Sequence, residues 1–171
     1  LKKIPEKMII VGAGVIGLEM GSIYSRLGTE VTVIEFFDKV LNGMDHDISK
    51  NFKSILQKQG FKFHLNSSVS MITKEKKGVK VTFKQVDSHD QNELSADVVL
   101  VATGRKPFTK NLKLENIGVK LNPKGQIETD NNWRTTATNI FALGDVTSGP
   151  MLAHKAEEEG IAVAEIIAGQ A

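Results

Sequence analysis

No cysteine occurs anywhere in the 171 residues. Disulfides, thiolate metal sites and thiol redox chemistry are therefore excluded within this chain. Long apolar runs are lacking as well: none approaches the roughly 20 residues of a membrane span. Nor does one charge dominate. Lys and Arg total 22 against 20 Asp and Glu, a net +2, too little to argue for nucleic acid or a membrane surface as partner. The lysines are scattered, and EKK at Glu75 to Lys77 reads as a solvated turn. There is no internal repeat and no low-complexity segment. The opening LKKIPEK has neither an initiator Met nor a signal-peptide pattern, so we expect an excised piece of something longer. What is present is an ordinary soluble composition, 40% hydrophobic and 25% charged. The length suits one medium domain with a fragment of a second.

The first third of the chain alternates between strand and helix patterns. Lys7 to Val11 reads as a short buried strand. Ile16, Met20, Ile23 and Leu27 then recur at helical spacing, with Gly28 the expected C-terminal cap. Glu30 to Glu35 is a β-branched second strand. Ile48, Phe52, Ile55 and Leu56 mark another amphipathic helix, with Asp45 or Asp47 near its start and Gly60 after its end. Phe61 to Leu65 is a third strand. This order predicts a parallel sheet with right-handed crossovers.

The rhythm then changes. VSMIT and VKVTFKQV, separated by KEKKG, alternate like hairpin strands with one solvated face. DSHDQN is a polar loop. ADVVLVATG is a continuous apolar run, as expected of a buried strand rejoining the parallel sheet. NPKGQ is a turn, QIET a short strand, and TNIFALGD a strand ending in Gly-Asp. From Met151 the chain is helical, with Ile161, Ala164, Ile167 and Ala168 on one side. The expected fold class is α/β: a Rossmann-like parallel sheet with helices and an inserted antiparallel β-meander. The first nucleotide-binding unit is expected to end near Asp130.

One stretch carries chemistry, IIVGAGVIGLEMG from Ile9 to Gly21. Gly12, Gly14 and Gly17 fit G-x-G-x-x-G after a strand and at the opening of a helix. In that setting the first glycine permits the tight turn, the second lets a pyrophosphate approach the backbone, and the third lets helix and strand pack closely. The helix N-terminus adds unpaired N–H groups and a positive dipole end. Gly21 continues a small-residue face one turn beyond Gly17. The motif alone serves NAD and FAD alike. Its companion is Glu35, at the end of the second strand and 18 residues after Gly17 (35 − 17), close to the ~20-residue separation expected of a ribose-binding acid. A carboxylate there accepts from both hydroxyls of an adenosine ribose and repels the 2′-phosphate of NADP. Phe36 and Phe37 offer no guanidinium in its place. Glu19, early in the helix, reads by spacing alone as a carboxylate favouring the helix dipole by ~0.3–1 kcal/mol.

With VLVATGRKP (Val99 to Pro107) and NIFALGD (Asn139 to Asp145), the chain resembles the disulfide oxidoreductases that carry one FAD and one NAD domain. The resemblance covers essentially all 171 residues and implies the FAD/NAD(P)-binding domain type. GPMLAHKAEEEGI and ISKNFKSILQKQGFKF narrow it to the dihydrolipoamide dehydrogenase family, particularly its mitochondrial-type members. A glutathione-reductase-like chain would more often show an alanine in the glycine loop and arginines beyond the second strand. The resemblance implies that residues 1–130 form the NAD-binding domain and 131–171 a return segment of the FAD-binding domain. It implies that Gly12, Ala13, Gly14, Val15, Ile16, Gly17, Leu18 and Glu19 form the NAD pyrophosphate loop, with Glu19 near the nicotinamide end. Glu35 would bind the adenosine ribose, Val69 line the adenine pocket, and Gly104 contact NAD through its backbone. Asp145 would bind the ribityl chain of FAD, and Met151, Leu152, Ala153 and His154 would run beside the flavin. The resemblance implies a structural rather than an acid–base role for His154, because the family uses this helix start through its backbone. The segment DKVLNGMDHD is about one residue shorter than common family versions, which we expect to touch a surface loop and no assigned site.

The family's C-x-x-x-x-C disulfide, its FAD phosphate loop and its catalytic His–Glu pair find no match here, so no catalytic residue is assigned. The resemblance further implies NAD+/NADH as ligand, a homodimeric parent, a lipoamide-bearing acyltransferase of a 2-oxo acid dehydrogenase complex as partner, and the mitochondrial matrix, or the cytoplasm of a bacterium, as location. The C-terminal helix should bury its apolar face against FAD-domain strands. Two other readings stand beside this one. One keeps the architecture but places the chain in another disulfide reductase, such as a mercuric reductase, or in a soluble transhydrogenase. The other is a freestanding NAD-binding module without catalysis.

Overall fold

A computed structural model describes residues 1–88 and 90–170. His89 of the DSHDQN loop and Ala171 at the end of the return segment lie outside the described residues. The chain divides into two compact units, Leu1–Gly104 and Arg105–Ala171. The boundary expected near Asp130 is not where these units part. Packing divides the chain earlier, because Leu114, Val119 and Ile127 share one core with Ala142.

In the first unit β1 (Lys7–Val11), β2 (Glu30–Ile34), β3 (Lys62–His64) and β7 (Val98–Val101) form a parallel sheet in the order β3-β2-β1-β7. Side chains alternate across it. Met8 and Ile10 of β1, with Val31 and Val33 of β2, face Leu18 of α1 (Val15–Arg26) and Leu56 of α2 (His46–Lys58). Ile9 and Ile34 face the opposite way. They meet Val81, Phe83 and Ala96 of a second sheet, an antiparallel meander of β4 (Ser67–Lys74), β5 (Val79–Gln85) and β6 (Gln91–Ala96). The insertion thus covers the sheet face that the two helices leave free.

Several elements depart from expectation. The end of the expected polar loop, Gln91 and Asn92, is already strand β6. Only Leu94 and Ala96 of that strand pack inward, which is too thin an alternation to stand out in the sequence. β7 joins the parallel sheet as expected, yet among the described residues it has a neighbour on one side only, and Val101 is 58% exposed. The apolar stripe of α1 also points the other way. Ile16, Ile23 and Leu27 are about half exposed, while Gly17, Leu18 and Gly21 are buried. The cause is the closeness of the sheet. A Cβ at Gly21 would stand 2.8 Å from Ile10 Cδ1 and 2.9 Å from Phe61 Cε1, so only the small-residue face fits against β1.

Helix α2 begins at Asp45, whose carboxylate accepts from the N–H groups of Asp47 (2.9 Å) and Ile48 (3.3 Å). An Asp45→Ala chain should lose about 1 kcal/mol of stability. Urea unfolding measures it; an unchanged midpoint would mean the cap contributes nothing.

The second unit has little regular structure before its helix. QIET and NIFAL reduce to isolated bridges, Leu121 with Ile127 and Arg134 with Phe141. Asn122 Oδ1 accepts from Lys124 N–H and Gln126 N–H, and Asp130 Oδ1 from Asn132 N–H and Arg134 N–H. Such local side-chain bonds compete with ladder extension. A short 3₁₀ turn follows at Gly144–Val146, and then α3 (Ala153–Ala168). On α3 Val163 is buried, while Ile161 and Ile167 are 57% and 66% exposed, so the apolar face read from the sequence stands open. No helix among the described residues is long and apolar enough to cross a membrane.

Candidate dinucleotide site

The chain leaves β1 at Gly12 and enters α1 after Gly14. Gly12 has φ +104°, where a side chain is strained. Its N–H donates to the Ile34 carbonyl at 2.8 Å. A Cβ on it would lie 2.5 Å from the carbonyl oxygen of Ala102, just past β7. Gly17 is held as closely, since a Cβ there would stand 2.4 Å from the Gly12 oxygen. These two glycines let loop, helix and the ATG segment approach one another.

Gly14 differs from both. It is the N-cap of α1 with extended backbone, no side chain caps the helix, and nothing lies within 4 Å of a Cβ placed there. The first turn of α1 carries no acidic residue. Uncapped N–H groups, a positive helix end and open space in front of them fit a pyrophosphate.

Glu35 follows β2 directly and is only 8% exposed. Its carboxylate accepts from Ala13 N–H in the glycine loop and, at 2.9 Å, from Phe37 N–H. Its backbone is tied as well: its N–H donates to His64 and its carbonyl accepts from Ser67, each at 2.8 Å. An ionised carboxylate has about four acceptor sites. Two of these serve Ala13 and Phe37 within the protein. On the other side of the loop, Leu41 N–H donates to the Ala13 carbonyl at 2.9 Å, and Val40 is buried in the same core as Ala13. The segment DKVLNGMDHD therefore does touch the glycine loop, contrary to expectation.

The remaining residues lie as follows. Val15, Ile16 and Glu19 are exposed on α1, whereas Ala13 and Leu18 are 1% exposed. Val69 is half-buried on β4, pairs with Phe83, and packs on the core of the meander. Gly104 has φ +101° and open space around it. A cavity of about 410 Å³ lined by Phe63, His64, Ser67, Phe83 and Gln85, among others, contains none of the expected site residues. Burial lowers the pKa of His64 at its wall, where the ring meets Phe83 edge-on.

In the second unit, Asp145 sits in the 3₁₀ turn and accepts from Arg105 Nη1 at 3.0 Å. Their side chains are 41% and 59% exposed, and such surface pairs contribute little to stability. Met151 is half-buried. Leu152, Ala153 and His154 are exposed, and Leu152 is the N-cap of α3 with no side-chain cap.

The structure thus brings together the glycine loop, Glu35 and the ATG segment in one unit, and Asp145 with the start of α3 in the other. The N–H groups of Phe37 and Leu41 and the Ala102 carbonyl were not legible, since they act through backbone atoms. Arg105 stands in the quoted VLVATGRKP motif, but its pairing with a residue 40 positions away left no local signal.

A glycine-walled turn at the C-terminal edge of a parallel sheet, braced by a strand-end carboxylate, defines a dinucleotide-binding domain. Comparison with known proteins narrows this class. The family model "Pyridine nucleotide-disulphide oxidoreductase" matches residues 1–160. The chain is 51% identical over 173 aligned residues to mitochondrial dihydrolipoyl dehydrogenase of Homo sapiens, and equally so to that of Mus musculus. All of this chain is covered in both alignments, but only 34% of either relative. It therefore spans about a third of the length of these curated relatives. Among solved structures, LpdA from Mycobacterium tuberculosis superposes with a TM-score of 0.87 at 30% identity, covering 100% of this chain and 36% of that one. The HOCl-induced flavoprotein disulfide reductase RclA from Escherichia coli gives 0.84 at 34% identity, covering 100% and 38%. The chain belongs to the pyridine nucleotide-disulphide oxidoreductase family, and its fold is the α/β Rossmann-like type of those flavoproteins.

Proposed function

We propose that the chain is the NAD-binding portion of a flavoprotein that oxidises dihydrolipoamide to lipoamide with NAD+ as final acceptor. Residues 1–130 are the NAD-binding domain and 131–171 the return segment of the FAD-binding domain. The carrying observation is Glu35: a buried carboxylate bonded to the glycine loop, with no cationic side chain in the two positions after it. Higher identity to dihydrolipoyl dehydrogenases than to the reductase RclA supports lipoamide over another disulfide substrate. A lipoamide-bearing acyltransferase as partner, a homodimer, and the mitochondrial matrix as location belong to the same reading.

Bound NAD+ supplies the hydride-accepting carbon of the reaction. The chain's own contribution is to bind and orient. The uncapped start of α1 and the loop from Gly12 to Gly17 hold the pyrophosphate. Glu35 accepts from the adenosine ribose through the acceptor sites it does not use on Ala13 and Phe37. Glu19, one turn further along α1, would serve the nicotinamide end and Val69 the adenine, and Gly104 would contact the dinucleotide through its backbone. In the second unit Asp145 would accept from the ribityl chain of FAD, with Met151, Leu152, Ala153 and His154 as the segment beside the flavin.

Fluorescence titration with NADH and NADPH tests the reading. NADH should bind at least about tenfold more tightly, because a 2′-phosphate would meet the Glu35 carboxylate without a compensating cation. Equal or tighter NADPH binding would end it.

A further inference from the structure

The Gly144–Val146 turn is held by a residue that the dinucleotide motifs do not include. Gly144 N–H donates to Glu159 Oε2 at 2.7 Å, across 15 residues of chain. The other oxygen, Oε1, stands 2.8 Å from Lys155 Nζ, one turn back on α3. Both side chains are largely shielded, 14% exposed for Glu159 and 18% for Lys155. The turn itself rests on the helix: a Cβ at Gly144, whose φ is +72°, would lie 3.1 Å from the Ala156 Cβ. The Lys155 stem runs against Gly149 on the far side of the turn.

We infer that Glu159 is a positioning residue, its shielded carboxylate on α3 holding the Gly144–Val146 turn and thereby setting where Asp145 stands. The inference rests on the reading of Asp145 as a flavin ligand. Two features separate it from a plain helix-stabilising pair. An exposed Lys–Glu pair four residues apart needs no third partner, whereas this carboxylate spends its second oxygen on a backbone N–H outside the helix. The Gly144 carbonyl, moreover, is already taken by Thr147 N–H and Oγ1. With Glu159 on the N–H, both polar groups of Gly144 are held and the turn has little freedom left. Charge reinforces the geometry. Burial pushes the Glu159 carboxyl up, but Lys155, Gly144 N–H and the Trp133 indole together outweigh it and hold the group below its ordinary range. It is therefore ionised at neutral pH.

The test reads amide exchange at Gly144 by NMR in the 171-residue chain, together with emission from Trp133, its single tryptophan. Glu159→Ala should speed Gly144 exchange roughly 10- to 100-fold, the range of a charge-assisted hydrogen bond. Lys155→Met should change it less than about threefold. Glu159→Gln keeps an oxygen on Gly144 and guards against loss of fold. It should restore most of the protection while removing the acid step in Trp133 emission that reports Glu159 protonation. Unchanged Gly144 exchange in Glu159→Ala would overturn the inference, as would an equal effect of Lys155→Met. In the flavin-loaded holoenzyme, Asp145→Ala and Glu159→Ala should both lower flavin retention. If Asp145→Ala retains its flavin while Gly144 responds as expected, the flavin reading of Asp145 falls and the hold of Glu159 on the turn stands.

Discussion

Glu35→Ala weakens NADH binding by roughly 10- to 100-fold and lowers the stability of the free chain by about 1–3 kcal/mol. The two effects have separate causes. Binding suffers because a buried carboxylate acceptor for the ribose hydroxyls is removed, and hydrogen bonds to carboxylates are the strong ones. Stability suffers because Ala13 N–H, on a residue only 1% exposed, loses its partner inside the fold. Glu35→Gln separates them: an amide oxygen can still accept from Ala13 N–H, so stability should largely return. The lost charge should leave NADH binding weaker than in the parent and relax the penalty against NADPH. Nucleotide titration and urea unfolding of the same three chains give both readouts. If Glu35→Ala binds NADH as well as the parent, the ribose assignment is wrong. If its unfolding midpoint is unchanged, the bond to the loop carries no weight.

The second large effect distinguishes the glycines of the loop from one another. Gly12→Ala should destabilise the chain by about 2 kcal/mol or more, through an unfavourable positive φ and a close contact with backbone. The contact is the Ala102 carbonyl oxygen, 2.5 Å from the added carbon. Gly14→Ala should behave in the opposite way. Its φ of −76° suits any residue, and beyond its immediate chain neighbours nothing stands within 4 Å of the new Cβ. Folding should be unharmed, or gain about 0.4–1 kcal/mol from a stiffer unfolded chain. Yet the methyl group enters the open space before the helix N-terminus, and NADH affinity should fall at least about tenfold. Thermal unfolding alongside NADH titration measures both. Gly14→Ala binding NADH normally would show that the pyrophosphate does not lie there.

Much of the candidate site was legible because its signals are local. A strand, three spaced glycines, a helix and an acid at the end of the next strand form a pattern written within about 30 residues. Elsewhere the same local signals misled. The α1 stripe of Ile16, Ile23 and Leu27 has helical spacing but faces outward, because Gly17 and Gly21 let the helix settle too close for larger side chains. The strands expected at QIET and NIFAL have the right composition, but Asn122 and Asp130 fold the chain into local turns around them.

By itself, then, the sequence determined the parallel α/β order, the glycine loop, the acid that accompanies it and the family resemblance. Each depends on residue type and spacing along a short length of chain. Only the tertiary structure decided why Gly12 must be glycine, that the segment around Leu41 closes the loop, and that Glu159 holds the turn bearing Asp145. The physical reason is that these roles belong to backbone carbonyls and N–H groups, which every residue carries, brought together from distant positions. Composition and periodicity do not record which of them will meet.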